Sequence, residues 1–145
     1  EKSKNRVKRV LTKDFKIHWC FSQVKMSEFQ GRYCTVYKKL PKVNPDFIYL
    51  DGPDQFKIKG KINNFNLNHE DFMPMVSDLL KIEFFLKPGT ILVVDGRSAN
   101  VQFLRSFFKR KWLYYYVKEI DKHVLYLDSK SLGLANDKLL NFYER

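Results

Sequence analysis

Residues 45–54 read Pro-Asp-Phe-Ile-Tyr-Leu-Asp-Gly-Pro-Asp, and residues 89–97 read Gly-Thr-Ile-Leu-Val-Val-Asp-Gly-Arg. Each stretch leads an unbroken apolar run into an aspartate and a glycine. Apolar runs of this length are typical of strands that are buried on both faces, as in the parallel sheet of an α/β protein. Ligands of such sheets bind just beyond the carboxyl ends of the strands. The two stretches therefore predict a sheet with a functional site near Asp51 and Asp95.

The segments around these strands alternate between helical and extended patterns. Helices are predicted over 2–14, from about Pro74 to Leu86, from Ser98 to about Phe108, and weakly over 132–143. Further strands are predicted over 16–24, 32–37, 112–117 and 124–127, the last two as an antiparallel hairpin. This order is typical of an α/β, Rossmann-like domain, with a mostly parallel sheet, helices on both faces and a C-terminal antiparallel hairpin.

Residues 52–69 form a long polar segment that follows the first aspartate-ending strand. Loops of this length are uncommon inside a compact domain, and those that occur are usually lids or binding loops. We therefore expect this loop to cover the site at the strand ends.

Length, composition and cysteine content narrow the class of protein. With 145 residues, of which 44% are hydrophobic, the chain is expected to form one domain, residues 1–145. No apolar run approaches the ~18 residues of a membrane span. Cys20 and Cys34 form neither a metal motif nor a disulfide framework, so we expect buried free thiols and a cytoplasmic location.

The formal net charge of +11 favours an acidic partner, such as nucleic acid, an anionic lipid surface or a phosphorylated substrate. The lysines and arginines are dispersed along the chain, however, and no nucleic-acid-binding motif organises them. Solvated basic surfaces are the preferred interpretation, so nucleic acid remains an open partner that the sequence does not favour.

The order of motifs resembles the carboxyl-terminal half of a class I S-adenosylmethionine-dependent methyltransferase. The relevant pieces are a strand ending in Asp-Gly, a helix, the turn Leu86-Lys87-Pro88-Gly89-Thr90, a second strand ending in Asp, a helix and a hairpin. Residues 45–55, 73–75 and 93–97 further resemble bacterial methyltransferase-like proteins associated with surface polysaccharide or other glycan biosynthesis. The resemblance covers roughly Ile17 to Tyr143. It implies S-adenosylmethionine as cofactor and O-methylation of a sugar or related small acceptor.

The chain departs from that family in its glycines. Class I methyltransferases hold the cofactor with a glycine-rich loop after their first strand, whereas the 6 glycines here are far apart and no strand is predicted before residue 16. The sequence therefore predicts that the N-terminal cofactor-binding strands are missing, and that the chain starts in the helix before the third strand of such a fold.

The resemblance also implies a candidate site for a catalytic divalent cation. In metal-dependent members a divalent cation binds the acceptor oxygen, and its ligands end the fourth and fifth strands, positions that match Asp51 and Asp95. Mg²⁺ suits such oxygen ligands. Gly96 stands where a third ligand is usual, so Asp54 or Asn100 would have to contribute. Arg97 is an alternative charge partner that would make the cation unnecessary, so the use of Mg²⁺ stays open.

The remaining polar residues around the strand ends are assigned as follows. Asp51 and His69 are the candidate catalytic residues, with His69 a general base at the junction of loop and helix. Asp51 and Gly52 are the candidate cofactor-binding residues. The candidate substrate-binding residues are Asp54, Gln55, Lys57, Arg97 and Asn100. Structural roles stay open for these residues, because aspartates often cap backbone amides and loop lysines are often only solvated.

Two other functions remain open beside the methyltransferase. One is a catalytically inactive basic module that binds nucleic acid or anionic glycan. The other is a nucleotide-sugar enzyme of another α/β family, because aspartate-ending strands occur in many such enzymes. The sequence leaves the acceptor and the oligomeric state undetermined.

Overall fold

The computed structural model describes residues 17–128, which form six strands and two helices. The strands are β1 (Val24–Phe29), β2 (Arg32–Tyr37), β3 (Phe47–Leu50), β4 (Ile91–Asp95), β5 (Trp112–Val117) and β6 (Lys122–Leu127). The helices are α1 (Asp78–Ile82) and α2 (Ser98–Phe107), with 3-10 turns at Gln55–Lys57, Glu83–Phe85 and Lys118–Ile120. The helices predicted over 2–14 and 132–143 lie outside the described residues.

The main sheet has four strands in the order β3-β4-β6-β5 and is mixed. β3 and β4 pair in parallel, whereas β6 pairs antiparallel with both β4 and β5. The prediction of a mostly parallel sheet is therefore corrected. The physical reason is the short link over residues 118–121, which makes β5 and β6 antiparallel, and it is β6 that pairs with β4 in the opposite direction.

Both described helices pack on one face of the main sheet. Side chains from the sheet and from both helices form one buried cluster there, which includes Leu50, Leu92, Val94, Leu125, Leu79, Leu80, Val101 and Leu104. The opposite face carries aromatic and aliphatic side chains that are 37–59% exposed, namely Phe47, Tyr49, Ile91, Leu113 and Tyr115. Helices on both faces are thus not confirmed within residues 17–128.

β1 and β2 form a separate two-stranded antiparallel sheet. Their turn consists of Gln30 and Gly31, which both have positive φ, as a two-residue hairpin turn of type I′ requires. The predicted strand over 16–24 is wrong for residues 17–23, which adopt no regular structure. The turn fixes the register of the hairpin, so that pairing starts at Val24, opposite Tyr37.

The segment that precedes α1 joins the two sheets. The backbone N–H of Thr35 donates to Met75 O at 2.7 Å, and that of Ser77 donates to Thr35 O at 3.0 Å. Asn100 accepts a hydrogen bond from Val76 N at 3.0 Å. These bonds tie residues 75–77 to β2 and α2, which is why α1 starts at Asp78 instead of near Pro74 as predicted.

The loop over residues 52–69 is irregular, as predicted, and it packs against the hairpin. Ile58 and Leu67 are buried with Met26 of β1 in a second small core. Cys34 is buried, as expected, but Cys20 is exposed, and both are free thiols. Within the described part of the chain, no helix is long and apolar enough to cross a membrane.

Candidate functional site

The ends of β3 and β4 meet at Gly52 and Arg97. Gly52 has a φ of +81°, and a side-chain carbon placed there would lie 3.0–3.2 Å from the Cδ, Nε and Cζ atoms of Arg97. The Arg97 guanidinium also donates from Nη1 to Pro53 O at 3.3 Å and lies 3.3 Å from the Met73 sulfur. Glycine is therefore required at position 52 both for its backbone conformation and for the approach of Arg97.

Asp51 directly follows β3 and has an exposed side chain. No hydrogen bond or ion pair is found for its carboxylate among residues 17–128. It lies close enough to Tyr37 to act electrostatically on the phenol, as do Arg97 and Asp78. The structure thus places Asp51 and Arg97 within electrostatic range of the same phenol, with the carboxylate oxygens of Asp51 available to a ligand.

Tyr37 is a site residue that the sequence analysis missed, since it comes from the other sheet. Its backbone N–H donates to the Asp78 carboxylate at 3.0 Å. Burial and then the negative charge of Asp78 raise the pKa of the Tyr37 phenol. Burial likewise raises the pKa of Asp78. Tyr37 is therefore a neutral hydroxyl at physiological pH, able both to donate and to accept a hydrogen bond.

A cleft of about 440 Å³ opens beside these residues, and we call it the strand-end cleft. Its lining residues are Phe21, Ser22, Gln23, Val24, Tyr37, Gly52, Pro53, Asp54, Lys57 and Lys59. The volume falls within the range of about 300–1,000 Å³ that is typical of small-molecule sites. Three residues assigned to ligands from the sequence, Gly52, Asp54 and Lys57, line it.

Asp54 and Lys57 form an exposed ion pair at 2.8 Å in the wall of the strand-end cleft. Asp54 also accepts a hydrogen bond from Phe56 N at 3.0 Å, which starts the 3-10 turn over Gln55–Lys57. The hydrogen bond from Lys57, followed by that from Phe56, lowers the pKa of Asp54. Asp54 is therefore ionised at neutral pH, and it neutralises much of the charge of Lys57.

Gln55 and His69 hold the loop together and do not line the strand-end cleft. The side-chain amide of Gln55 donates to the backbone oxygens of His69 and Glu70 at 3.3 and 3.2 Å. His69 uses Nδ1 to accept a hydrogen bond from Asp71 N at 3.1 Å. In residues 17–128 no contact joins His69 to Asp51, so the geometry favours a structural role for His69.

Asp95 lies on the outer face of the sheet with partners of its own. It accepts a hydrogen bond from the Tyr49 hydroxyl at 2.5 Å and forms an ion pair with Lys122. The bond from Lys122 and then that from Tyr49 lower the pKa of Asp95. The part of the chain that the structure describes holds no group of three or more His, Cys, Asp or Glu suited to a metal ion. Because Asp95 is already paired with Tyr49 and Lys122, Asp51 and Asp95 do not fit a site for a shared divalent cation.

Asn100 is fully buried in α2 and does not reach the strand-end cleft. Its side-chain oxygen accepts the hydrogen bond from Val76 N at 3.0 Å, while Nδ2 has no partner among the described residues. Its place in the fold therefore favours a structural role over the predicted contact with substrate.

A partly buried hydrogen-bond chain at the start of α2 was also missed. His123 lies 3.0 Å from the Ser98 hydroxyl through Nε2 and 2.9 Å from the Tyr114 hydroxyl through Nδ1. Burial lowers the pKa of His123, and the Arg105 guanidinium lies 4.0 Å from the centre of the Tyr114 ring. Both features disfavour protonation of His123. We therefore interpret this chain of hydrogen bonds as a link that fixes the start of α2, directly after Arg97.

Comparisons with known proteins do not assign a function to this chain. No protein-family model, curated protein sequence or solved structure matches this chain. The function is therefore argued from the strand-end cleft and its charged residues.

Proposed function

We propose that this chain supplies the acceptor side of an S-adenosylmethionine-dependent methyltransferase that O-methylates a sugar or related small acceptor. The observation that carries the proposal is the exposed carboxylate of Asp51, which directly precedes Gly52 in the lining of the strand-end cleft. The element order β3, α1, β4, α2 and the β5–β6 hairpin agrees with the order on which the resemblance rests. The parallel pairing of β3 and β4 also supports it, because it brings the two aspartate-ending strands side by side.

Methyl transfer to a hydroxyl needs an in-line approach and a group that removes the proton. S-adenosylmethionine, when bound, supplies the electrophilic methyl group. Asp51 is the base we assign, because its carboxylate is exposed and has no competing hydrogen bond in residues 17–128. The Tyr37 hydroxyl and the Asp54 carboxylate line the cleft next to it and are suited to orient sugar hydroxyls.

Transfer of a labelled methyl group from S-adenosylmethionine to oligosaccharide acceptors tests this assignment. Asp51→Asn should lower kcat by ~100-fold or more, as loss of a general base does, and should change KM little. Asp46→Asn is the matched control, because Asp46 precedes the same strand at its other end and forms an exposed ion pair with Lys87 at 2.7 Å. Equal activity of the two variants would overturn the proposal, as would failure of S-adenosylhomocysteine to bind, by calorimetry, to a version of the protein that includes cofactor-binding strands.

A second candidate is a catalytically inactive basic module, which the net charge of +11 favours. Retention on a DNA column should then fall steeply as salt rises, because binding to phosphates releases counterions. Retention that does not respond to salt would exclude this candidate.

A further inference from the structure

An open groove of about 650 Å³ lies between the loop that follows β2 and the end of α1 with the turn after it, and we call it the apolar groove. Six of its eight lining residues have apolar side chains, and the full lining is Leu40, Pro41, Lys42, Val43, Asn44, Ile82, Phe85 and Leu86. The Asn44 side chain joins the two walls, because it donates from Nδ2 to Phe85 O at 2.8 Å and accepts from Lys87 N at 3.3 Å. The shape of the groove is therefore fixed by the fold.

Three large apolar side chains of this lining are exposed. Leu40 is 43% exposed, Val43 is 66% exposed and Phe85 is 76% exposed. Single exposed apolar side chains are ordinary on protein surfaces and need no explanation. These three, however, line one groove, and a contiguous exposed apolar surface marks a site of interaction.

The exposed charges beside both walls are positive. Lys42 lines the groove itself, and Lys38 and Lys39 directly precede Leu40, where that wall begins. Lys81 directly precedes the first residue of the other wall. All four lysines are exposed, and the described part of the chain contains no ion-pair partner for any of them.

The carboxylates nearby in the chain do not offset this charge. Asp78 is 7% exposed and Glu83 is 1% exposed, so both lie beneath the surface. Asp46 is exposed, but it forms an ion pair with Lys87 at 2.7 Å. The groove thus combines an apolar lining with a positive rim, which is the combination by which proteins bind the interface of an anionic membrane.

A bound peptide is less suited to the groove, because backbone groups of one wall are already paired. The Phe85 carbonyl accepts the hydrogen bond from Asn44. Leu86 N donates to Glu83 O at 3.2 Å, and Leu86 O accepts from Arg110 Nη1 at 2.5 Å. A peptide would therefore leave polar groups unpaired against this wall, which is costly, whereas an acyl chain has no such groups.

A second copy of the chain is also less suited to the groove. It would bring the same lysines of two molecules together, and each molecule carries a net charge of +11. Like charges that face each other across an interface disfavour association. The positive rim therefore favours a negatively charged partner over self-association.

We propose that the apolar groove and its lysines bind the surface of a membrane that contains anionic lipids. Leu40, Val43 and Phe85 contact the acyl chains at the interface, and the lysines contact the negatively charged headgroups. The binding is peripheral, and it goes beyond the proposed methyltransferase function without depending on it.

Co-sedimentation of the full chain with lipid vesicles tests the contribution of the lysines. The chain should bind vesicles of three parts phosphatidylcholine to one part phosphatidylserine far more tightly than vesicles of phosphatidylcholine alone. Lys39→Gln/Lys42→Gln should lower the partition coefficient ~25-fold, because each lysine at an anionic surface contributes about 5-fold. Lys61→Gln/Lys118→Gln is the matched control, since it removes the same charge from exposed positions that neither line nor adjoin the groove. It should lower binding at most ~3-fold, because salt screens charges held away from the membrane.

A second pair of variants tests the apolar contribution. Phe85→Ser should weaken binding to the anionic vesicles at least ~5-fold, because it removes apolar surface from the interface. Phe56→Ser is the matched control and should bind like the wild type, because Phe56 is 61% exposed in another 3-10 turn and does not line the groove. Circular dichroism verifies that each variant is folded.

Equal binding by the two double-lysine variants would overturn the proposal, since the vesicles would then respond only to net charge. Equal binding by the two phenylalanine variants would overturn it as well. Tighter binding of polyglutamate than of the anionic vesicles would replace the membrane with an acidic protein partner. A dimer in analytical ultracentrifugation that Phe85→Ser dissociates would replace it with a second copy of the chain.

Discussion

At the scale of single residues, Glu83 holds the junction between the α1 region and β5. It is only 1% exposed, and its carboxylate accepts hydrogen bonds from the backbone N–H groups of Lys109 and Arg110 and from the indole N–H of Trp112, at 2.9–3.1 Å. Arg110 donates in turn from Nη1 to the backbone oxygens of Glu83 and Leu86 at 2.9 and 2.5 Å. The buried charge is thus surrounded by donors, and the charge of Arg110 opposes it.

We expect Glu83→Gln to lower the free energy of unfolding by about 3 kcal/mol, because the amide turns a donor toward buried donors and leaves Arg110 without its counter-charge. Guanidinium denaturation measures the loss. Glu119→Gln, at an exposed glutamate, is the control and should stay within about 0.5 kcal/mol of the wild type. A Glu83→Gln variant as stable as this control would show that the buried network contributes nothing.

His123 gives the molecule a pH dependence of known sign. Burial lowers its pKa in the folded protein, whereas the unfolded value is about 6.5. Below pH ~6.5 the unfolded chain therefore binds the proton more readily, so the stability due to neutral His123 is complete above that pH and is lost as the pH falls.

His123→Gln should therefore lose less stability than the wild type between pH 7.5 and pH 5.0, by at most about 1.4 kcal/mol per pH unit below 6.5. Urea denaturation at the two pH values measures this difference between the proteins. Identical pH dependence in both proteins would show that His123 is as easily protonated in the folded state as in the unfolded one.

The sequence predicts a site residue only where the position of that residue follows from its own segment of the chain. Asp51 and Arg97 each follow an apolar run, so the position of each at a strand end could be inferred from its own segment. Tyr37 joins the site from another sheet, and no local pattern indicates this. The partners of Asp95 also could not be inferred, because Tyr49 and Lys122 reach it only through the register of three paired strands.

At the scale of elements, the same distinction separates the correct predictions from the others. β3 and β4 follow from their unbroken apolar runs, and α2 and β5 follow from the patterns of their own segments, and the structure confirms all four. α1 is much shorter than its apolar stripe predicts, because Met75 and Ser77 pair with Thr35 of β2. Tertiary pairing overrides helix propensity there, and a single sequence does not show which backbone groups a distant strand will take.

Asn100 connects α2 to this segment, so its loss should loosen the joint between the two sheets. Asn100→Ala leaves the N–H of buried Val76 without a partner, and we expect a cost of about 2 kcal/mol. Hydrogen exchange should also quicken at Val76 and Thr35, since the joint opens more often. Gln102→Ala, at an exposed position of the same helix, is the control. Unchanged exchange at both amides would show that the hydrogen bond does not hold the joint.

At the scale of the whole molecule, the net charge of +11 opposes the compact state through self-repulsion. Salt screens this repulsion, because the Debye length shortens from roughly 20 Å in dilute buffer to about 8 Å at physiological ionic strength. The melting temperature should therefore rise by a few degrees as sodium chloride is raised over that range. Differential scanning calorimetry at several salt concentrations measures the change.

The double variant Lys61→Glu/Lys118→Glu isolates this effect from specific anion binding. Both lysines are exposed and lie outside the strand-end cleft, and the exchange lowers the formal charge from +11 to +7. If repulsion across the whole molecule limits stability, the variant should melt higher than the wild type at low salt and respond less to added salt. If its salt response stays equal to that of the wild type, salt acts through anions bound at local sites such as Lys38 and Lys39, and the net charge does not limit stability.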